Sequence, residues 1–455
     1  MATYLSKTFS SAGNQKTWTW SGWVKSTGGS SDSTIFSGGT GLGASGNRLV
    51  FQFLGGEAEK VMASSGNTSE FAFKTSASLR DKSAWYHFVL AMDTTQATDS
   101  NRFKMYINGS QVTNTAQLTY PAQDLQLGIN NNQAQYIGLR TSSNDTAFNG
   151  YIANVHFIDG SAKVATDFGQ TDSTTGIWKP KVYTGSYGTN GYKLEFKNSG
   201  ALGTDTSGNS NTWTVNNAGT GAQVTDTPSN NFPIWSLADG RASGNNGGSN
   251  CTYTLGATKT NNGNNSFEYP MNRATVGLQK GKWYWEVKYE ADLTPLSGII
   301  GQAAINNVNQ GSWIGGEWVN DKWCSVAGVN DNVYLYDNTS TSVTGAGCDA
   351  GDIAGWALDC DNYTLKYYKN GTLMHTDTTL NTAPDATNYA IPLYYPVVVG
   401  TYSGANNWSQ AWINFGNPAF SISSSNSDAN GLGSFEYAVP SGYYAICTKN
   451  LEAYG

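Results

Sequence analysis

Paired carboxylates are the first chemistry to look for, because glycoside hydrolysis needs two of them flanking one sugar bond. A Glu-x-Asp-x-x-Glu strand would space them along one sheet face. The nearest approach is Glu290-Ala-Asp292-Leu-Thr-Pro295, where proline replaces the second glutamate, so it reads as a strand ending in a turn. Thr204-Asp205-Thr-Ser-Gly-Asn-Ser-Asn-Thr-Trp213 approaches a sialidase-type Asp-box, but its Gly-to-Trp spacing is too long. An Asx-type turn at Asp205 is the simpler reading, with a Ca²⁺ ligand as the alternative. Of the three histidines, His87 and His156 fall in predicted strands and read as hydrogen-bonded sheet residues, and His375 reads as exposed. No nucleophile elbow, phosphate loop or HExxH is present. The five cysteines, Cys251, Cys324, Cys348, Cys360 and Cys447, form no CxxC pair and none sits at zinc-ligand spacing to a histidine. They read as reduced structural thiols. The chain is not expected to be an enzyme.

Binding chemistry is better represented. Ser312-Trp-Ile-Gly-Gly-Glu-Trp-Val-Asn-Asp-Lys-Trp323 clusters Trp313, Trp318 and Trp323 among glycines and polar residues. Gly404-Ala-Asn-Asn-Trp-Ser409 adds Asn407 and Trp408, with Tyr402 just before. Rings stack on the apolar faces of sugars while amides pair with hydroxyls. The same tryptophans would equally pack a sandwich edge or a subunit interface, and that is the reading for Trp323, which precedes an apolar strand. In the first half, Tyr136, at the end of Asn130–Tyr136, and Arg140, at the start of 140–145, are the corresponding candidates.

These residues need a β framework to hold them. Thr17-Trp-Thr-Trp-Ser-Gly-Trp-Val-Lys25 puts Trp18, Trp20 and Val24 on one face and Thr17, Thr19, Ser21 and Lys25 on the other, the period of a half-buried strand. Trp85 to Met92 is apolar on both faces and predicts a central strand. Phe103, Met105 and Ile107 point inward from the next, and Leu49–Leu54 and Tyr136–Arg140 read as further strands. In Phe148–Gly160, Tyr151, Ala153, Val155 and Phe157 are expected on one face. The pair Trp85–Asp93 and Arg102–Val112 has a counterpart in Asp352–Leu373. In both, an apolar strand ends in Ala-x-Asp, and a lysine-bearing strand runs into Asn-Gly, the strongest hairpin signal. Gly281-Lys-Trp-Tyr-Trp-Glu-Val-Lys-Tyr-Glu290 alternates cleanly, with Trp283, Trp285, Val287 and Tyr289 opposed to Tyr284, Glu286, Lys288 and Glu290.

Composition agrees with short strands joined by polar loops. Charged residues are 13% of the 455, aromatics are 13% and glycines number 53, whereas an average soluble domain is about 25% charged. The formal net charge of −7, without any Lys/Arg run, opposes nucleic acid as a partner. No stretch approaches the roughly 20 apolar residues of a membrane span. The N-terminus lacks the apolar core of a signal peptide, so the chain is expected to be soluble and made without secretion. The expected layout is a sandwich over 1–178, an ordered Gly/Thr/Asn-rich connector over 179–245 and a second sandwich over 246–455.

Trp-Tyr-His (85–87), Tyr-Ile-Asn-Gly (106–109) and Phe-Asn-Gly-Tyr-Ile-Ala-Asn-Val-His-Phe-Ile-Asp-Gly (148–160) resemble the laminin-G/concanavalin-A-like lectin superfamily. Gly281–Glu290, Gly351–Asp359, the Tyr-Lys-Asn-Gly turn, Tyr395–Gly400 and Trp412–Gly416 resemble a SPRY (B30.2-type) domain, itself a concanavalin-A-like sandwich. Together with Gly203–Asn217, the pairing resembles virion proteins of marine tailed bacteriophages. The resemblance implies an all-β fold of two antiparallel jelly-roll sandwiches. It further implies a non-catalytic tail-fibre or tail-tip adhesin that binds host-surface glycan or protein, located on the virion and assembled in the host cytoplasm. A capsid decoration or head-fibre role is the alternative, and a glycan depolymerase the remote one. Implied partners are other virion proteins and further copies of this chain, most simply as a trimer, since the chain carries no heptads, β-helix repeat or N-terminal anchor of its own. Laminin-G-like lectins often bind Ca²⁺, which makes Asp124, Asp145, Asp159 and Asp205 the metal candidates; no other cofactor is expected.

Overall fold

The computed structural model of the chain describes residues 2–455 apart from 29–30, 40–46, 58, 142–145, 220, 237–250, 263–270, 291–295, 302–324, 328–331, 335–339, 379, 381–392 and 400–408. It is all-β, with antiparallel sheets and one short α-helix, Thr448–Tyr454, among the described residues. Two compact units emerge, Met1–Gln223 with Thr227–Ser229, and Val224–Asp226 with Asn230–Gly455.

In the first unit, Trp18, Trp20 and Val24 enter the core from the strand Thr17–Ser26, as the alternation predicts. Trp20 stacks on Phe36 of the opposite sheet at 5.7 Å. Tyr86–Asp93 pairs beside it, Trp20 opposite Leu90, and contributes Phe88, Leu90 and Met92 to the same core. The six-stranded sheet runs Tyr192–Leu194, Gly150–Asp159, Thr17–Ser26, Tyr86–Asp93, Phe103–Ile107, Ser110–Gln111. The eight-stranded sheet facing it runs Thr115–Thr119, Ala72–Thr75, Val61–Ser65, Arg48–Phe53, Ser33–Gly39, Ala134–Ile137, Tyr4–Thr8, Thr214–Asn216. Residues 179–223 of the expected connector thus lie within this unit. Two of its short strands complete the sheets, and Tyr192, Leu194 and Trp213 are buried in the core.

Two expectations change. Thr17–Ser26 is not half-buried: Thr19, Ser21 and Lys25 on its outer face are as inaccessible as the tryptophans. Residues 161–187 fold back over Thr19 and Ser21, and Lys25 lies over the Tyr151 ring. Tyr151 and Ala153 do not share a face with Val155 and Phe157. A β-bulge between Ala153 and His156, with Asn154 at φ +46°, inserts one residue and inverts the alternation. Ile152 therefore packs toward the core, while Tyr151 lies opposite Lys25 on the outer face.

The second unit repeats the plan. One sheet runs Cys251–Thr254, Lys259–Asn262, Ser409–Asn414, Lys282–Tyr289, Ile353–Asp359, Thr364–Lys369, Thr372–Asp377, with Tyr444–Ala445 parallel to Lys282–Tyr289. The other runs Met271–Arg273, Tyr394–Val399, Leu296–Gly301, Ser325–Ala327, Asn332–Tyr334, Ser340–Ser342. Trp283, Trp285, Val287 and Tyr289 face the core as expected, but Tyr284 and Glu286 on the opposite face are buried as well.

The two Asn-Gly hairpins match in detail. Asn108 and Gly109 sit at φ +47° and +86°, Asn370 and Gly371 at +48° and +77°, the left-handed pair such a turn demands. Each asparagine closes a two-way bond with the start of the strand paired to the one that runs into the turn. Asn108 N–H donates to the His87 carbonyl (2.9 Å) and its Oδ1 accepts from His87 N–H (2.8 Å). Asn370 N–H donates to the Ile353 carbonyl (2.9 Å) and its Oδ1 accepts from Ile353 N–H (2.9 Å). A Cβ on Gly109 would lie 2.7 Å from Trp178, and one on Gly371 2.6 Å from Tyr437, so in each unit an aromatic ring packs on the turn.

Candidate functional site

Ser21 and His87 come together across neighbouring strands, Oγ to Nε2 at 2.9 Å, the spacing of a nucleophile and its base. The tautomer argues against that chemistry. Trp178 Nε1–H, a donor only, reaches His87 Nδ1 at 3.1 Å, so Nδ1 must accept. The neutral ring then carries its proton on Nε2 and donates to Ser21, whereas a general base would have to accept the serine proton there. The ring lies between Trp23 (4.8 Å) and Trp178 (6.0 Å), and burial drives its pKa down to about 3. His156 is likewise buried and bonded through one ring nitrogen. Its Nδ1 pairs with the Tyr187 hydroxyl at 2.9 Å, and burial, with Lys193 adding repulsion, lowers its pKa to about 3. Both are sheet histidines, as expected. His375, expected to be exposed, is half-buried because it lies on the strand Thr372–Asp377 opposite Tyr367.

A groove of about 640 Å³ opens on the first unit, between the turn at Ser69-Glu70, residues 99–102 and the segment 118–125. Arg102 forms its fixed point. Nε donates to the Gln96 carbonyl (2.8 Å), Nη1 to Pro121 (3.1 Å) and Nη2 to Ala97 (2.8 Å). Three of five guanidinium N–H groups are thereby committed to backbone, which immobilises the fork. Tyr120 and Leu125 line the groove half-buried, Leu118 is 44% exposed, and the carboxylates of Glu70 and Asp99 stand at its rim. A fixed donor, exposed acceptors and an aromatic wall are what a polyhydroxylated ligand requires. None of these residues stands out in the sequence, because Arg102 and Tyr120 are 18 positions apart and neither belongs to a motif.

Of the residues that the sequence singles out, Tyr136 is half-buried on Ala134–Ile137, its ring 6.1 Å from that of Tyr4. The expected strand Tyr136–Arg140 ends at Ile137, where Gly138 turns to φ +84°, so Arg140 follows the strand rather than lying on it. Ser37, opposite Tyr136 in register, donates to the carbonyls of Leu139 and Arg140, and both candidates lie outside the groove lining. Trp313, Trp318, Trp323, Tyr402, Asn407, Trp408 and Asp145 lie outside the described residues. The remaining aspartates are engaged by donors. Asp124 pairs with Lys16 at 3.0 Å. Asp159 accepts from Asn14 N–H (2.8 Å), Asn130 Nδ2 (2.6 Å) and Asn190 N–H (3.0 Å). Asp205 accepts from the backbone N–H groups of Lys193, Ser207 and Asn211 and from the Ser207 hydroxyl, which makes it the Asx-type turn expected. Among the described residues no group of three His, Cys, Asp or Glu side chains converges as a metal site. Cys348, Cys360 and Cys447 are buried free thiols whose pKa burial pushes up.

In the second unit Glu286 is fully buried. Its carboxylate accepts from Tyr437 N–H (2.9 Å), Glu436 N–H (3.0 Å), Asn414 Nδ2 (3.1 Å) and the Tyr284 hydroxyl (3.3 Å). Burial raises its pKa to about 7 against those four donors. It pins the segment 436–437 to the sheet, and neither the Arg102 groove nor the cavity beside His87 includes it in its lining.

No curated protein matches the chain. Solved structures similar to it include the SPRY domain of human HERC1, at 18% identity and TM-score 0.25, covering 36% of this chain and 91% of that one. The native heptameric SAP-like pentraxin from Limulus polyphemus aligns at 13% identity and TM-score 0.28, covering 36% of this chain and 71% of that one. Residues 3–165 match the concanavalin A-like lectin/glucanases superfamily, so the first unit carries a concanavalin A-like domain.

Proposed function

We propose that this chain is a non-catalytic bacteriophage virion protein, a tail-fibre or tail-tip adhesin that contacts glycan or protein on the host surface. What supports the binding part is the Arg102 groove: it joins an immobilised guanidinium, rim carboxylates and the Tyr120 ring on a lectin-like sandwich. Against catalysis stands the His87 tautomer, which leaves Ser21 without a base. On this reading residues 246–455 form a SPRY-like domain, and the protein assembles as a homo-oligomer, a trimer, on other virion proteins. A capsid decoration or head-fibre role is favoured by one observation: the described residues form two compact units with no coiled-coil or β-helical shaft. Cryo-EM of the particle separates the two, by density at the tail or on the capsid faces. The adhesin reading expects the purified protein to compete with phage for adsorption, and it fails if adsorption is unaffected.

A further inference from the structure

Residues 161–187 cover the outer face of the six-stranded sheet through a small core of their own. Val89, Tyr106 and Ile158 from the sheet meet Ala165, Phe168 and Tyr183 from the cover, with Trp178 and Tyr187 at the margin. This cluster is separate from the main core between the sheets. Both histidines sit at its seam, and each is tied to the cover by a ring nitrogen: His87 Nδ1 to Trp178, His156 Nδ1 to Tyr187. A cavity of about 140 Å³, lined by Ser21, His87 and His156 on the sheet side and by Phe168, Pro180 and Lys181 on the cover side, gives protons and water a place at that seam.

We propose that residues 161–187 are an acid-released cover: protonating His87 and His156 detaches them from the sheet while the sandwich beneath stays folded. An imidazolium at His87 would set Nδ1–H against Trp178 Nε1–H, two donors facing each other, so the bond to the cover must break. The surroundings offer it little relief. Lys181 on the cover and Lys193 on the edge strand line the same cavity, and Lys25 is buried on the outer face of the neighbouring strand. Glu195 is the carboxylate in the lining, and Lys193 and Lys197 already pair with it. The phenols of Tyr106, Tyr183 and Tyr187 stay neutral, since burial raises their pKa. Burial also holds each histidine neutral, which puts proton uptake on the open form, and the two positive rings repel each other once charged. With the opened histidines titrating near 6.5, the opening equilibrium rises about 30-fold per histidine at pH 5.

Amide exchange of the full chain at pH 7 and pH 5, corrected for intrinsic rates and resolved by peptide, tests this. The expected result is a loss of protection in 163–187 of roughly 25-fold to 600-fold at pH 5 relative to pH 7, with residues 18–24 and 88–92 still protected. Unchanged protection of the cover would overturn the proposal, and so would simultaneous loss in the core strands. His87→Asn with His156→Asn keeps an acceptor toward Trp178 and a hydrogen-bonding amide toward Tyr187 but does not titrate, so the pH response should vanish. Should that variant fail to fold, Trp178→Phe serves instead. By removing the opposing donor it should raise the pH at which His87 titrates, and an unmoved titration contradicts the mechanism.

Discussion

Replacing Glu286 by glutamine tests how the second unit is held together. The wild-type carboxylate is fully buried and receives four donors, two of them backbone N–H groups of the segment that crosses the sheet. Because folding raises its pKa from 4.5 to about 7, the folded chain binds more protons than the unfolded chain between those values. Stability is therefore highest at the acid end of the window and declines as pH rises through it. At about 1.4 kcal/mol per pH unit the decline is on the order of 3 kcal/mol. Glutamine keeps the volume and one acceptor oxygen but turns an amide donor toward groups that are donors themselves. Glu286→Gln should therefore cost on the order of 3 kcal/mol more at pH 5 than at pH 8, where the wild type has lost its protonation advantage. Denaturant unfolding at pH 4.5, 6 and 8, read by amide exchange in Lys282–Tyr289 and Ile353–Asp359, gives both quantities. If the variant shows the same slope with pH as the wild type, Glu286 is not the titrating group and the reasoning fails.

Gly109→Ala and Gly371→Ala should each destabilise their own unit by about 2–4 kcal/mol. Both positions are left-handed, and the new methyl would meet Trp178 or Tyr437; thermal denaturation of the two variants checks this. Asn108→Ala and Asn370→Ala remove the acceptor for His87 N–H and Ile353 N–H respectively, at a cost of about 1–3 kcal/mol by the same measurement. Asp159→Ala strands three donors and should lower Tm, whereas adding Ca²⁺ or EDTA should leave the wild-type Tm unchanged, because Asp159 and Asp205 are already saturated by N–H and O–H groups. A Ca²⁺-dependent rise in Tm would place a metal on this chain after all.

The framework is readable in the sequence because it rests on local rules. Period-2 alternation locates Trp18, Trp20 and Val24, and Trp283, Trp285 and Val287, while Asn-Gly locates two hairpins whose geometry agrees closely. The failures share one cause. Alternation assigns Ser21, Tyr284 and Glu286 to an open face, yet each is buried by a segment distant in sequence, residues 161–187 in one unit and 435–437 in the other. Alternation reports which side of a strand is polar. It does not report whether a later loop returns to cover that side and satisfy those polar groups. The bulge at Asn154 is hidden for a related reason, since one inserted residue changes no residue type. The groove escapes because its lining comes from three separated segments, and Arg102 acts through backbone carbonyls that carry no signature.

Whether this surface holds a glycan is the question on which the proposed function rests. Wild-type protein and the variants Tyr120→Ala and Glu70→Gln, matched in Tm, should be applied to an array of defined glycans. Retention of a glycan by the wild type, weakened about 3- to 10-fold in the variants, is the predicted result. Equal retention by all three would move the site away from the Arg102 groove, and no retention of any glycan by the wild type would contradict the glycan-binding reading itself.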